Sequence, residues 1–260
     1  EPPQKRPEKK PVAVLGGGIA GCAAAWALAR RGYAVTLIDR QKGTAQETSG
    51  NPVGIVYPKI TVDPSPMGLF HAHGFCYTRM LCAALPVPSW QACGVRHIDK
   101  NEEEAARHAK QVEKNALPFD YACHKDGALH LPMAGFLSPP ALCKALADHE
   151  NIRCVFSKSA LRLQNENGVW HICGADGDII CAAAHVVIAL GNQSLNIAET
   201  AWLPLQSLRG QISYIRPTAA SGSLREVICH DGYIAPPDMD GLQVIGATFQ
   251  KEPVAVPDIR

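Results

Sequence analysis

The fold is decided by residues 12–39, VAVLGGGIAGCAAAWALARRGYAVTLID. Residues 12–15 form an apolar run without a polar break, which is typical of a strand buried on both faces. Gly16, Gly18 and Gly21 follow at G-x-G-x-x-G spacing. The first glycine permits a sharp turn, the second lets the backbone approach a pyrophosphate, and the third lets helix and strand pack closely. The stretch therefore predicts a phosphate-binding turn.

The residues after this turn complete a strand–helix–strand unit. Residues 22–30 are alanine-rich and predict a helix whose N-terminal amides and dipole face the phosphates. Residues 33–38 form a second apolar run, which predicts a second strand. Asp39 ends it, 18 residues beyond Gly21, where a carboxylate can accept hydrogen bonds from a ribose. Together these features predict that the adenosine half of a dinucleotide binds here.

Composition sets broad limits on the function. Hydrophobic residues make up 47% of the 260 residues and charged residues 19%, as in an ordinary globular protein. The net charge of +1 gives no overall attraction to nucleic acid, so a nucleic-acid substrate would need a local basic patch or a partner domain. The ten cysteines include no C-x-x-C pair, which favours a reduced, cytoplasmic protein. No apolar run has the length of a membrane span or the layout of a signal peptide.

Other stretches predict loops, helices and strands around this unit. Residues 1–10 are charged and rich in proline and predict a linker. SGNPVGIVYP, residues 49–58, suits a loop that presses its backbone against a ligand. The apolar run 185–190 leads directly into Gly191, a second candidate for close approach to the ligand. Helices are predicted at 67–85, 101–116 and 141–149. Strands are predicted at 152–163, 169–173 and 179–181. Consecutive strands at 208–215, 227–234 and 242–249 predict an antiparallel sheet.

One group of residues invites a metal-site interpretation. His71, His73 and Cys76 are close in sequence, but positions i and i+2 point about 200° apart on a helix. The two histidines therefore cannot share one ion, and we predict no metal site.

Several motifs together resemble one family. These are GGGIAG, SGNPVGIVYP, GALHLPMAGFLSPPALCKAL, VVIALGN, LPLQSLRGQIS, DGYIAP and VIGATF. They occur in the order found in the MnmC family of bifunctional bacterial enzymes, which complete 5-methylaminomethyl-2-thiouridine at the tRNA wobble position. Residues 11–250 resemble the FAD-dependent oxidoreductase half, a member of the D-amino-acid oxidase-like superfamily.

The resemblance implies an α/β fold with a Rossmann-type FAD-binding domain and an inserted, largely antiparallel substrate domain. The FAD-binding domain is expected at 11–90 and 136–200, and the substrate domain at 91–135 and 201–260. The implied reaction is FAD-dependent oxidation of the carboxymethylaminomethyl side chain of tRNA wobble uridine to aminomethyl, with release of glyoxylate. The implied partners are tRNA and a fused SAM-dependent methyltransferase domain, in the cytoplasm and without a membrane. The family pattern continues past residue 260 with further flavin contacts, so a chain ending there is expected to bind FAD weakly or to be inactive.

The resemblance also implies roles for particular residues. The cofactor-binding set is Gly16, Gly17, Gly18, Ile19, Ala20, Gly21, Asp39, Arg40, Ser49, Gly50, Asn51, Gly54, Ala160, Ala189 and Gly191. Residues 49–51 and Gly54 are expected on the flavin side. Ala160 is expected to meet the adenine from a strand, and Gly191 to border the pyrophosphate. On the substrate side the resemblance implies Arg209, Gln211 and Tyr233.

Three alternatives remain open. The chain could be an FAD-dependent oxidase of a free small amine or amino acid, because G-x-G-x-x-G does not distinguish the substrates. It could be a nucleotide-binding module without catalysis. An NAD-dependent dehydrogenase is disfavoured, because the glycine-rich loop at 49–54 suits a buried flavin.

Overall fold

The computed structural model describes residues 9–85, 90–238 and 241–250. In chain order the helices and strands are β1 (Val12–Leu15), α1 (Ile19–Ala29), β2 (Val35–Ile38), β3 (Gly54–Val56), α2 (Pro66–Ala84), β4 (Val95–Ile98), α3 (Glu102–Lys114), β5 (Cys123–Lys125), β6 (Ala128–Leu131), β7 (Gly135–Leu137), α4 (Pro139–Ala147), β8 (Ile152–Val155), β9 (Arg162–Glu166), β10 (Val169–Cys173), β11 (Ile179–Ala183), β12 (His185–Ile188), β13 (Arg209–Ile215), β14 (Val227–Cys229), β15 (Tyr233–Ile234) and β16 (Gln243–Gln250).

The chain packs as two compact units. Of the described residues, unit 1 comprises those up to Asn51 together with Pro139–Gln206. Unit 2 comprises Pro52–Ser138 and the described residues from Ser207 onward. Within the described part of the chain, no helix is both long enough and apolar enough to cross a membrane.

Unit 1 is built on a parallel sheet with the strand order β12-β1-β2-β8. A three-stranded antiparallel sheet, β11-β10-β9, belongs to the same unit. Leu15 and Ile38 of the parallel sheet share one apolar cluster with Leu163 and Ile172 of the antiparallel sheet. The residues of β1 are all buried, and those of β2 are buried except for one. Their uninterrupted apolar pattern predicted this burial.

Unit 2 is built on a seven-stranded sheet with the order β13-β16-β15-β14-β4-β6-β5. Its strands are antiparallel except for the parallel pair β14 and β4. Phe75 of α2 and Val112 of α3 pack into a core with Val95, Leu131 and Val227 of this sheet. The short pair β3 and β7 is antiparallel and lies in the same unit. The predicted α/β fold with a Rossmann-type unit and a largely antiparallel second sheet is confirmed.

Two strand predictions were wrong. Residues 152–163 do not form one strand, because β8 pairs with β2 in the parallel sheet while β9 pairs with β10 in the antiparallel sheet. Residues 227–234 also do not form one strand. The chain turns back at Asp231 and Gly232, so that β14 and β15 form an antiparallel hairpin.

The units divide the chain differently from the expected domains. Residues 52–90 were expected in the FAD-binding domain, but their described part belongs to unit 2. The physical reason is pairing and burial within that unit. Gly54 of β3 pairs with Leu137 of β7, and Phe75 of α2 is buried in the core of unit 2.

Candidate functional site

A cavity of about 240 Å³ lies in unit 1 at the carboxyl edge of the parallel sheet. Gly16, Asp39 and Ala189 follow β1, β2 and β12 and all line the cavity. Residues 158–161, which follow β8, also line it. Ligands of doubly wound folds bind in the crevice outside the carboxyl ends of the strands. The glycine turn and the end of β2 that line the cavity are the elements that hold the adenosine and pyrophosphate part of a dinucleotide in such folds.

The glycine turn is held together by two close backbone approaches. Gly16 has φ +106°, and a Cβ there would lie 2.3 Å from the carbonyl oxygen of Ala189. A Cβ on Gly21 would lie 1.8 Å from the carbonyl oxygen of Gly16. Neither position can carry a side chain unless the backbone moves. These contacts press the turn against the residue after β12, and α1 against the turn, as the spacing predicted.

The absence of a side chain at Gly18 leaves open space beside the N-terminus of α1. Among the described residues, a Cβ on Gly18 would approach only the Ser49 hydroxyl oxygen, at 3.2 Å. The backbone N–H of Ile19, the first residue of α1, donates to this same oxygen at 3.0 Å. In the described first turn of α1 there is no acidic side chain, so the positive end of the helix dipole is available to an anion. The turn therefore has the space and the charge that a pyrophosphate needs.

Asp39 anchors the glycine turn. One carboxylate oxygen accepts the backbone N–H of Gly17 at 2.6 Å, and the other accepts the backbone N–H of Gln41 at 2.7 Å. A carboxylate has about four acceptor positions, so contact with a ribose is compatible with both bonds. Asp39 thus connects the end of β2 to the phosphate-binding turn, which adds a structural role to the predicted ribose contact.

Arg40 is paired within the cavity wall. Its Nε donates to Glu47 at 2.7 Å, its Nη2 makes a second and shorter contact to the same oxygen, and the Gln41 amide donates to that oxygen at 3.0 Å. The Gln41 hydrogen bond and the Arg40 charge outweigh burial and lower the pKa of Glu47. Glu47 therefore remains ionised and holds Arg40 in place.

The cavity contains part of the predicted cofactor set. The predicted residues that line it are Gly16, Gly18, Ile19, Ala20, Asp39, Arg40, Ser49, Ala160, Ala189 and Gly191. Gly17 and Gly21 do not line the cavity but stabilise the turn, Gly17 through its hydrogen bond to Asp39 and Gly21 through its close approach to the Gly16 carbonyl oxygen. Gly50, Asn51 and Gly54 are not among its lining residues, and Gly54 belongs to unit 2. Their contact with the flavin side stays a prediction.

The sequence missed several lining residues. Lys158, whose Nζ donates to Asp178 at 3.1 Å, lies in the loop between β8 and β9. Ala160 lies in this loop as well, and its expected place within a strand was wrong. The strand predicted at 152–163 ends at Val155 in the structure. A prediction with that end would have placed residues 158–161 in a loop at the ligand-binding edge, because ligands bind beyond the carboxyl ends of parallel strands. Also missed were Ile38, Gln41, Gln46, Glu47, Thr48, Ser159, Leu161, Leu190, Gln193, Asn196 and Ile197.

The three substrate-side residues lie in unit 2 and do not form one group. Arg209 donates from Nη2 to Gln211 Oε1 at 3.0 Å. Ile212 pairs with Gly246, which also pairs with Tyr233. A Cβ on Gly246 would lie 2.6 Å from Ile212 Cγ2 and 3.4 Å from Tyr233 Cε1, so these two side chains share a face. Because side chains alternate along a strand, the Arg209–Gln211 pair lies on the opposite face of the sheet.

A separate polar cluster in unit 2 links three elements. The Asp99 carboxylate, after β4, contacts His108 Nδ1 of α3 at 2.6 Å and His124 Nε2 of β5 at 2.8 Å. These are direct hydrogen-bond distances, so the cluster is explained without an ion. Burial alone would raise the pKa of Asp99, but the hydrogen bonds from His124 and His108 outweigh it and lower that pKa.

The Asp99 cluster should stabilise the protein in a pH-dependent way. We expect Asp99→Asn to lower the free energy of unfolding at pH 7 by about 1–3 kcal/mol, because the hydrogen bonds lose their charged partner. A lowered carboxyl pKa stabilises the fold above the usual pKa and loses that effect as pH falls through the folded-state pKa. The difference between the variants should therefore shrink below about pH 4. Urea unfolding at several pH values measures it, with Asp126→Asn in an exposed turn as control. A constant difference down to pH 2 would contradict this account.

The sequence matches the DAO family, described as FAD dependent oxidoreductase, over residues 11–259. A protein of Stutzerimonas stutzeri strain A1501, named tRNA 5-methylaminomethyl-2-thiouridine biosynthesis bifunctional protein MnmC, is 36% identical over 95% of this chain and 39% of its own length. The protein of the same name in Pseudomonas paraeruginosa is 38% identical over 91% of this chain and 38% of its own length. The chain thus spans about two fifths of the length of these relatives.

Solved structures show the same fold. Glycine oxidase from Geobacillus kaustophilus superposes with a TM-score of 0.75 at 20% identity, over 93% of this chain and 72% of that one. L-proline dehydrogenase from P. horikoshii superposes with a TM-score of 0.72 at 17% identity, over 97% of this chain and 74% of that one.

The cavity of unit 1 fits the adenosine and pyrophosphate part of FAD. The space beside Gly18 would be filled by a Cβ, the N-terminus of α1 offers positive potential, and Asp39 holds the turn open. This geometry agrees with the sequence match along nearly the whole chain. The chain therefore belongs to the FAD-dependent oxidoreductase family, and FAD is its cofactor.

Proposed function

We propose that this chain oxidises the carboxymethylaminomethyl side chain of tRNA wobble uridine to aminomethyl and releases glyoxylate. The observation that carries the proposal is identity of 36–38% over 91–95% of the chain with proteins named for tRNA 5-methylaminomethyl-2-thiouridine biosynthesis. The residues SGNPVGIVYP and LRGQIS support it, because they are more specific than the glycine turn. We place the reaction in the cytoplasm, where its tRNA substrate is found.

The chemistry needs an electron acceptor and a shaped substrate site. FAD, when bound, would supply the acceptor for a hydride from the carbon next to the amine nitrogen, and water would hydrolyse the resulting imine to amine and glyoxylate. The glycine turn, Asp39 and the N-terminus of α1 hold the adenosine and pyrophosphate part of the cofactor. The chain's contribution to the substrate is recognition of a carboxylate beside an amine, which calls for a cation or a strong donor.

Arg209 is the proposed cation for that carboxylate. The Gln211 side chain accepts from its guanidinium at 3.0 Å and restricts its orientation. Tyr233, whose side chain lies on the other face of the sheet, stays a prediction of the resemblance and is given no role in binding this carboxylate. We further propose that tRNA and a fused methyltransferase domain are partners, which is consistent with the chain spanning 38–39% of its relatives. With a net charge of +1, affinity for tRNA should come from a local patch or from that domain.

The role of Arg209 gives a testable prediction. In the natural full-length protein, Arg209→Ala should lower kcat/KM for modified tRNA by about tenfold or more, since a charge-assisted contact is lost. FAD content should be unchanged, because the arginine is assigned to the substrate. Nucleoside analysis of the tRNA together with glyoxylate measurement gives the rate. Arg225→Ala, at an exposed arginine of unit 2, is the matched control and should retain full activity.

Two results would contradict the proposal. Unchanged modified uridine in the presence of FAD-loaded protein, with rapid oxidation of free glycine or sarcosine, would assign a small-molecule substrate instead. Normal kcat/KM in Arg209→Ala would remove the carboxylate role of that residue and leave the assignment of the reaction intact.

A further inference from the structure

A cleft of about 510 Å³ lies within unit 2, where α2 begins and α3 ends. Its lining residues come from the segment before α2, the first two turns of α2, and the end of α3 with the segment that follows. All of them belong to unit 2, whereas the cavity that fits FAD is lined by residues of unit 1. The volume is within the range of roughly 300–1,000 Å³ that is usual for small-molecule sites. The cleft is therefore a second candidate site, which shares no residue with the first.

The walls of the cleft are mainly apolar. Ile60 and Leu117 line it and also pack on the hydrophobic core of unit 2, so the cleft reaches down to that core. Small-molecule sites are typically apolar and contain a few polar groups that fix the orientation of the ligand. The cleft would accordingly hold the apolar body of a ligand. Its apolar lining residues are Ile60, Pro64, Pro66, Leu69, Ala72 and Leu117.

Hydrogen bonds hold the segment before α2 against α3. The Gln111 side-chain amide donates to the Ile60 carbonyl oxygen at 2.8 Å. The Asn115 side-chain amide donates to the Thr61 carbonyl oxygen at 2.9 Å. The hydroxyl oxygens of Thr61 and Ser65 lie 3.1 Å apart, and Ser65 is the N-cap of α2. The cleft is therefore preformed, which lowers the entropic cost of binding a ligand.

The Tyr121 hydroxyl supplies a buried polar group at the cleft. Its oxygen is shielded from solvent and makes no hydrogen bond with the described residues, and its ring meets the Phe75 ring edge-on with centroids 5.9 Å apart. Burial raises the pKa of Tyr121, so the hydroxyl keeps its proton at pH 7 and can donate it. Buried tyrosine hydroxyls usually have a hydrogen-bond partner. Because Tyr121 lines the cleft, an acceptor oxygen of a ligand would be that partner.

The charges at the cleft favour an anion. Lys59 and Lys114 are among its lining residues, and no described carboxylate lines it. Lys114 is occupied, because its Nζ donates to the Asp63 carboxylate at 2.6 Å. Lys59 is exposed and makes no ion pair within the described part of the chain. The positive end of α2 and the negative end of α3 both lie here and offset each other, so Lys59 determines which charge is attracted.

We propose that this cleft binds a small organic anion that has an apolar body and a separate acceptor oxygen. The apolar body packs on Ile60, Leu69 and Leu117. The Tyr121 hydroxyl donates to the acceptor oxygen, and Lys59 attracts the negative charge. Because the Tyr121 hydroxyl is buried and Lys59 is exposed, the acceptor lies deeper in the cleft than the charge. This site is independent of the reaction proposed above.

Three matched compounds test the site in the FAD-loaded natural protein. 4-Benzoylbenzoate has two apolar rings, a ketone oxygen as acceptor and a carboxylate. 4-Benzylbenzoate lacks the ketone, and 4-benzoylbenzamide lacks the charge. Isothermal titration calorimetry gives the Kd of each compound, and we expect 4-benzoylbenzoate to bind with the lowest Kd. Absence of saturable binding of 4-benzoylbenzoate would overturn the proposal.

The hydrogen bond from Tyr121 is tested by Tyr121→Phe. This variant should weaken 4-benzoylbenzoate by roughly three- to tenfold, because one hydrogen bond is lost, and should leave 4-benzylbenzoate unchanged. Tyr214→Phe, at an exposed tyrosine of unit 2 that does not line the cleft, is the control and should bind all three compounds like the wild type. An unchanged Kd for 4-benzoylbenzoate in Tyr121→Phe would overturn the proposal, because water alone would then satisfy the hydroxyl. Equal weakening of both carboxylates would also reject it, since only packing would have changed.

The charge contact is tested by Lys59→Met. This variant should weaken both carboxylates by roughly two- to fivefold, because an exposed charge contact is lost, and should leave 4-benzoylbenzamide unchanged. Lys110→Met, at an exposed lysine of α3 that does not line the cleft, is the control. A Lys59→Met protein that binds both carboxylates like the wild type would contradict the role of this lysine and the anionic nature of the ligand.

The position of the bound compound can be determined directly. Ultraviolet irradiation couples the benzophenone of 4-benzoylbenzoate to neighbouring residues, and mass spectrometry of the peptides identifies them. We expect cross-links within residues 59–72 or 114–121, which contain the lining of the cleft. Cross-links confined to other segments would show that the compound binds elsewhere and would overturn the proposal.

Discussion

Gly18→Val protein should purify without FAD and still be folded. A Cβ at Gly18 meets no described backbone atom within 4 Å, only the Ser49 hydroxyl at 3.2 Å, so the chain itself tolerates a side chain there with a small shift. The branched side chain would instead occupy the space where the pyrophosphate approaches α1. We expect FAD affinity to fall by at least roughly a hundredfold, or about 2.7 kcal/mol. The ratio of flavin to protein absorbance after purification measures this loss.

Gly74→Val provides the matched control for this prediction. Gly74 lies in α2 of unit 2, and a Cβ there would meet nothing within 4 Å among the described atoms. That variant should retain its full flavin complement, and circular dichroism should show both variants folded. A yellow Gly18→Val protein with full FAD content would show that the pyrophosphate does not bind at this turn.

Asp39→Ala should lower both FAD affinity and stability. The substitution removes the acceptors of the Gly17 and Gln41 backbone N–H groups, at 2.6 and 2.7 Å. Each hydrogen bond to a charged group contributes about 1.5–3 kcal/mol. We expect FAD to bind at least roughly tenfold more weakly, because the glycine turn loses its anchor in addition to the predicted ribose contact. Titration of apoprotein with FAD, together with thermal unfolding without FAD, separates the two effects.

Asp39→Asn should give an intermediate loss of affinity. The amide retains one acceptor oxygen, so it can hold one of the two backbone N–H groups. Asp148→Ala, at an exposed carboxylate of unit 1, is the control and should change neither measurement. If Asp39→Ala unfolds like the wild type and loses only FAD affinity, the carboxylate serves the ribose and does not anchor the turn.

The phosphate-binding unit could be predicted because its signals are local. Glycine spacing and two apolar runs specify β1, the turn, α1 and β2 within residues 12–39. The hairpin at β14 and β15 carried a local signal as well, since Asp231-Gly232 is a common hairpin pair. The prediction of one strand at 227–234 did not take this turn signal into account.

Other features depend on pairing between distant segments. Nothing near Ser49 indicates that its hydroxyl accepts from Ile19, 30 residues earlier. The cluster of Asp99, His108 and His124 forms only when β4, α3 and β5 pack together. Composition and periodicity do not contain this information.

The substrate side shows the same limit. Arg209 and Gln211 are two positions apart on β13 and therefore lie on one face of that strand. Their relation to Tyr233 depends on the register of β16 against β13 and β15, which includes an irregularity between Gln211 and Ile212. The register is set by packing of the whole sheet, so the sequence indicated these residues as candidates but did not predict their relative positions.

We propose that the FAD-loaded protein oxidises a carboxymethylaminomethyl group on tRNA. The most direct test is the absorbance spectrum of the purified full-length protein, recorded without oxygen before and after adding tRNA that carries this group. The account predicts a yellow protein whose flavin absorbance is lost on mixing, with one glyoxylate released for each modified uridine converted. A yellow protein that keeps its absorbance with this tRNA, and loses it with free glycine or sarcosine, would contradict the claim.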